Sequence, residues 1–323
     1  GRMDEWSAFL DSLDIGLPPD CAREAALFES LAAGQWDRVD SMVQNGPGDW
    51  PWPTAVEVAL LQMVPLRGQI RAAHTVPVLE RPETRALRPD SSALSNVAHL
   101  LLQMAYGLPP EEAPEETFAD RGEPRELEGR GWREVTDHVL YGVRESLMGD
   151  TAEARKVARR LQAMRDTATS RTFERVFESW FVLLDVGPAY QRQSWPEVVD
   201  ILEPMAARVH DPGVGHLAGD DYLLWWLLAD AHAHLQDPAA AIPYLESILE
   251  RPRFRRENWL VQGFIHPAAR FRLAGLYAQV GDQERAREHY RTFLDTFTDP
   301  EPEFRWMVEE ARRGLEEGPA PLP

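Results

Sequence analysis

The stretch 225-WWLLADAHAHLQDPAAAIPYLESILERP-252 decides the architecture. Leu228, Ala229 and His232 recur on one face of a first helix. Gln236-Asp237-Pro238 then ends that helix and starts another, with Asp237 as N-cap and Pro238 at the first helical position. Ala241, Leu245 and Ile248 line the facing side of the second helix, and the small residues Ala229 and Ala241 let the two helices approach closely. The unit is a helical hairpin.

The same device recurs outward in both directions. A Gly or Gln turn is followed five positions later by a small or β-branched residue at Gly34/Val39, Gly68/Ala73, Gly149/Ala154, Gln193/Val198, Gln236/Ala241 and Gly281/Ala286. The second members are spaced by 34, 81, 44, 43 and 45 residues, a period that marks stacked hairpins. The fold class expected is therefore all-α, an α-solenoid, which presents a long surface and needs catalytic chemistry grafted on if it is to have any. Trp36 and Trp195 take the same slot before Val39 and Val198. The interval of 81 is expected to hide a damaged unit, with a first helix from Leu94 to Tyr106 and a second one shortened by Pro109, Pro110 and Pro114. About seven hairpins result.

Three divisions are expected: divergent helical repeats over 4–131, clearer repeats with a capping helix over 132–317, and an extended tail over 318–323. The stretch 46–53 (GPGDWPWP) reads as a rigid connector, and 109–131 as an acidic loop rich in Pro and Gly. Pro302–Glu317 reads as a polar cap with Phe304 and Met307 facing the last hairpin.

Hydrophobic residues at 44% and charged residues at 27% place the chain among folded proteins. A net charge of −19 makes nucleic acid a poor partner and favours a neutral or basic protein segment. Cys21 is the only cysteine, so neither an intrachain disulfide nor a multi-cysteine zinc site is possible. No apolar run reaches the ~18 residues of a membrane span, since even LLWWLLADAHAHL is broken by Asp230, His232 and His234. Gly1-Arg2-Met3 precedes no apolar signal segment, so a cytoplasmic protein is expected.

Chemistry-bearing clusters are few. His210, Asp211, His216, Asp220 and Asp221 could ligate a metal, but they lie in a Pro- and Gly-containing link where no helical spacing fixes them, and Asp220 or Asp221 suits a helix cap better. His232 and His234 are two apart on one helix and point to different sides; His232 suits the core and His234 a groove. No GxSxG, HExxH, P-loop or GxGxxG is present. No enzyme activity, cofactor or metal is expected.

The final unit, 270-RFRLAGLYAQVGDQERAREHYRTFL-294, resembles the tetratricopeptide repeat through Leu273, Ala274, Tyr277, Gly281, Asp282, Ala286 and Tyr290. Trp225, Leu228, Ala229, Ala241 and Leu245 fill the corresponding places one unit earlier, and Tyr141, Gly142, Gly149, Asp150 and Ala154 do so in another. The resemblance, strongest over 132–316, is to the repeat tails of multidomain bacterial signalling proteins. It implies a right-handed superhelix and a scaffold, adaptor or sensor role toward a protein or peptide partner. It also implies a concave side carrying Trp180, Tyr190, Trp226, Asp230, His234, Phe271 and Arg272, with Trp226 as anchor and Arg272 open to a partner carboxylate. The alternative is a regulatory domain binding a small molecule in that groove, attached to a transcription activator, kinase or cyclase.

Overall fold

A computed structural model of the chain describes residues 131–167, 171–208, 220–250 and 256–317, together with residues 30, 38, 41–42, 67–68 and 104–106. The connector at 46–53, the acidic stretch up to 130, the His210–His216 cluster, the tail and most of the expected N-terminal hairpins lie outside the described residues. Within them every regular element is helical: α1 (Gly131–Met148), α2 (Thr151–Thr167), α3 (Arg171–Gln191), α4 (Trp195–Ala206), α5 (Asp220–His234), α6 (Pro238–Glu250), α7 (Arg256–Gln279), α8 (Gln283–Thr296), a 3-10 turn over Pro302–Phe304, and α9 (Arg305–Glu317). From α3 onward each helix packs on the next, and α1 packs on both α2 and α3. Among the described residues four hairpins and a last helix thus stack in chain order, the arrangement of a helical repeat.

The recurring Gly or Gln has a backbone cause. Gly149, Gln193, Gln236 and Gly281 have φ of +96, +55, +59 and +83, so each is the left-handed residue just past a helix end. Its N–H donates three residues back, as Gly149 to Ser146 (3.2 Å) and Gln236 to Ala233 (3.0 Å). The following N–H donates five back: Asp150 to Glu145 (2.8 Å), Ser194 to Ala189 (2.9 Å), Asp237 to His232 (3.0 Å) and Asp282 to Tyr277 (2.9 Å). This pair of bonds is the Schellman motif, and it satisfies carbonyls that the helix end leaves free.

The residue that completes the motif also begins the next helix. Asp150 accepts from the Ala152 and Glu153 amides at 3.1 and 3.0 Å, and Asp237 and Asp282 each accept from the amide three residues on at 3.1 Å. Ser194 makes no such side-chain bond, and α4 relies on Pro196 in its first turn instead. One turn later Ala154, Val198, Ala241 and Ala286 donate to the carbonyls of Asp150, Ser194, Asp237 and Asp282 at 3.0 to 3.2 Å. All four are buried. The five-residue spacing is therefore one left-handed residue, one cap and one helical turn, closed by a small or β-branched side chain where the two helices meet.

The core runs along the stack. On α5 every residue from Asp221 to His232 is buried, because α4 packs on one side of it and α6 on the other. On α3, Phe177, Trp180, Leu183 and Val186 are buried. Where α1 meets α3, a Cβ on Gly187 would stand 2.1 Å from Ser146 Oγ, and that hydroxyl donates to the Leu184 carbonyl at 2.6 Å. At the far end Phe304 and Met307 are buried, as a cap requires, while Trp306 of α9 is 53% exposed. Between α7 and α8, His289 stacks on Tyr277 with ring centroids 5.4 Å apart. One feature departs from a linear array: residues 67–68 and Tyr106 lie against the C-terminal end, near Pro300 and Phe304.

A Cβ at Gly281 would meet nothing within 4 Å, so Gly281→Ala tests the left-handed backbone alone; it should lower unfolding free energy by about 1 kcal/mol in urea titrations, while Gln236→Gly should raise it by up to about 1 kcal/mol. Burial, with the charges of Arg270 and Arg285, lowers the His289 pKa from 6.5 to about 4. Between those values the unfolded chain binds a proton that the folded chain does not, so His289 makes stability fall as pH drops from about 6.5 toward about 4. In His289→Phe, urea midpoints over that range should lose this part of the slope.

Candidate functional site

Three successive first helices meet at one carboxylate. Asp230 on α5 accepts a hydrogen bond from the Tyr190 hydroxyl of α3 at 2.8 Å through Oδ2. Its other oxygen, Oδ1, accepts from Arg272 Nη2 of α7 in an ion pair. The Arg272 guanidinium lies 4.9 Å above the Trp226 ring, so one face of the cation meets a π-system while its edge meets the carboxylate. One turn past Asp230, His234 places Nδ1 2.8 Å from the Asp230 carbonyl oxygen and 3.7 Å from its carboxylate. The His234 ring stacks on Trp195 of α4 at 4.1 Å and 21°, and Trp195 in turn takes the Tyr190 ring edge-on at 5.3 Å.

The cluster is graded from buried to open. Side-chain exposure is 9% for Asp230, 23% for Arg272 and 47% for His234. Burial foremost, then the Asp230 charge and hydrogen bond, raises the Tyr190 pKa far above its ordinary value, so the phenol stays protonated and donates. With both carboxylate oxygens engaged, a buried anion is tolerated because it is paired and hydrogen-bonded. The arrangement can orient aromatic and imidazole groups at a surface. Among the described residues no group of three or more His, Cys, Asp or Glu could hold a metal ion.

The structure brings Tyr190, Trp226, Asp230, His234 and Arg272 into one cluster. Trp180 and Phe271 belong to the packed core: Trp180 is fully buried edge-on to Phe177, and Phe271 is ringed by Tyr290, Phe293 and Trp306. Trp226 is only 1% exposed, which removes it as an anchor that a partner could grip. Helix α5 is enclosed by its neighbours, so an aromatic side chain on it packs inward whatever its repeat position. Arg272, 23% exposed, is paired through Nη2 with Asp230, so the cation expected to meet a partner carboxylate has one within the chain. Asp220 and Asp221 lie in the first turn of α5. His232 is buried, stacked on Tyr244 and 3.6 Å from Glu203 Oε1.

Sequence reasoning missed Trp195 as a site residue, since its repeat slot marked it for packing. The available signal was its position at the start of α4, beside the end of α3 in the same hairpin, where a ring can be half-buried.

No protein-family model, curated protein or solved structure matches the chain. The described residues form an all-helical, stacked body compatible with a protein-interaction scaffold, and none of their helices is long and apolar enough to cross a membrane.

Asp230→Ala should cost about 3 kcal/mol in chemical denaturation, because Arg272 and the Tyr190 hydroxyl lose their shared acceptor. Tyr190→Phe alone should cost about 1 kcal/mol. The two together should fall short of additivity by about 0.5–1 kcal/mol, and a strictly additive cycle would show that the tyrosine and the carboxylate are energetically independent.

Proposed function

We propose that this chain is a noncatalytic binding module, a scaffold or adaptor that recognises a peptide or helix of a partner protein on the face bearing His234, Trp195 and Tyr190. The observation that carries the reading is the Asp230 cluster: three successive first helices supply one network whose outer members remain partly open. In this reading Asp230, Arg272 and Trp226 are the foundation and the exposed rings are the contact. The network fixes those rings before binding, so little ordering entropy is lost on this side when a partner arrives. With His234 Nδ1 held at the Asp230 carbonyl, the imidazole offers Nε2 to a partner group, and Trp195 and Tyr190 offer ring surface. Aromatic side chains are frequent hot spots at such contacts.

The tetratricopeptide reading of 132–316, with its right-handed superhelix and concave groove, belongs to this proposal. It is supported by the alternation of large and small residues, by the four left-handed turns and by the meeting of first helices at Asp230. A neutral or basic segment suits the net charge of −19 better than an acidic one. A place in a bacterial regulatory assembly is the setting that the resemblance suggests.

The test uses substitutions at the open rim rather than at the buried base. His234→Glu with Trp195→Ala should abolish capture of a specific partner in quantitative pull-down from the source organism, while helical circular dichroism is retained. Undiminished capture by the folded double variant would rule out this face. A raised melting temperature in a metabolite screen, lost in the same variant, would instead identify a small-molecule site there.

A further inference from the structure

Helix α3 contains Gly187-Pro188 close to its end, and Tyr190 lies two residues beyond the proline. Pro188 has no N–H to give to the carbonyl four residues back, that of Leu184, so the last turn of α3 lacks one of the bonds that would fix its direction. The missing donor comes from another helix. Ser146 of α1, 1% exposed, donates its hydroxyl to the Leu184 carbonyl at 2.6 Å. Gly187 makes room for it: a Cβ there would stand 2.4 Å from the Ser146 carbonyl carbon, too close for any side chain. Gly142, one turn before Ser146 on α1, repeats the device, since a Cβ there would stand 2.9 Å from Leu184 Cδ2.

A second bond runs the opposite way. The Leu147 carbonyl lies in the last turn of α1, and the Thr151 amide that would reach it in a continuing helix donates to the Gly149 carbonyl instead (3.0 Å). Gln191 Nε2, in the last turn of α3, donates to the Leu147 carbonyl in its place. Each helix thus supplies a side-chain donor to a carbonyl that the other leaves open. Downstream, the Gln193 and Ser194 amides close the same turn onto the Tyr190 and Ala189 carbonyls at 2.9 Å each. The turn 188–191 is therefore one short unit, held to α1 by the Ser146 and Gln191 bonds. Its Tyr190 donates to Asp230 Oδ2 at 2.8 Å and meets Trp195 edge-on.

We propose that Ser146 and Gln191 are positioning residues of the face bearing Tyr190, Trp195 and His234. By standing in for helical donors they set the direction of the last turn of α3, and so the place where the Tyr190 phenol meets Asp230. This role rests on the reading of that face as a binding surface. The path is contiguous: the α1 hydroxyl, the α3 turn, the phenol, the carboxylate shared with Arg272, and the imidazole one turn further along α5. A change at Ser146 that merely weakened the fold would lower the population of folded molecules. Loss of the positioning role moves groups within molecules that stay folded.

Side-chain NMR of the full chain reads that difference. Ser146→Ala should shift the His234 ring protons and the Trp195 indole N–H, which depend on the ring stack, while the Tyr290 ring protons of α8 stay at their wild-type positions. The same variant should lower the folding equilibrium constant by about tenfold in urea titrations, because a buried carbonyl loses its donor. Pro188→Ala restores an N–H at 188, so in that background Ser146→Ala should cost less than about threefold. Gln191→Leu removes the other bond at an exposed position, should move the same His234 and Trp195 signals, and supplies a milder change should Ser146→Ala fail to fold. Unshifted His234 and Trp195 signals in the folded variants, or an equal loss from Ser146→Ala with and without Pro188, would overturn the proposal. No partner enters these measurements, so their outcome is distinct from that of the pull-down. The positioning role can fail while the rim still captures a partner, and the rim can fail as a binding surface while the signals move as expected.

Discussion

Everything in the stack depends on one backbone constraint, a left-handed residue directly followed by a helix cap. At 149–150, 193–194, 236–237 and 281–282 the carbonyls of one helix are satisfied within two residues with no intervening loop, and at all but 193–194 the same two residues also serve, through the Asp side chain, amides of the next helix. A reversal that short leaves little freedom in the angle or register of the two helices. It also fixes what lies in the last turn before it. Tyr190 precedes Gln193 and His234 precedes Gln236, so their rings are delivered to the same end of successive hairpins, where Trp195, the first residue after the Ser194 cap, stands between them. The aromatic rim is a consequence of turn geometry before it is a matter of side-chain packing.

The Asp230 carboxylate then ties together first helices that are separated in the chain by a second helix. Helix α4 lies between α3 and α5 in the chain, and α6 between α5 and α7, yet Tyr190 and Arg272 both reach Asp230. Burying a carboxylate is unfavourable unless both oxygens are served, so removing either donor leaves the other interactions weaker. The arrangement gives rigidity at the expense of charge available for binding. Pairing with Asp230 reduces the charge that Arg272 presents, so the proposed recognition at this face turns on imidazole and aromatic groups more than on net charge.

How much of this was legible in the sequence depends on whether the determinant is local. The hairpin ends were legible because Gly or Gln, then Asp or Ser, then Ala or Val obey backbone rules that operate within six residues. Asp237, Asp282, Phe304 and Met307 take the places expected of them for the same reason. The exposure of Trp180 and Trp226 was not legible, since a repeat position says which way a side chain leaves its helix and not how many neighbours enclose it. Nor could the Asp230–Arg272 pair be read: the two residues are on different hairpins, and their distance is set by the stagger of the stack. Tyr190, His234 and Arg272 stood out as polar or aromatic residues at inner repeat positions, and the structure gathers them around Asp230, with which Arg272 pairs.

The contact between residues 67–68 and the 299–301 segment changes how the energetics of such a chain should be framed. In a linear repeat array stability is close to a sum of repeat terms and nearest-neighbour interfaces, and one end can fray without consequence for the other. A bond across more than 200 residues of sequence adds a term of a different kind. Closing a loop that long costs entropy that grows only logarithmically with its length, so the penalty is modest and largely shared once any part of the N-terminal segment has docked. Arg67, Gly68 and Tyr106 then hold one another in place: each contact raises the effective concentration of the next. Local fraying at α9 would have to break all of them together, so a few interactions of ordinary strength seal the end of the array as one unit.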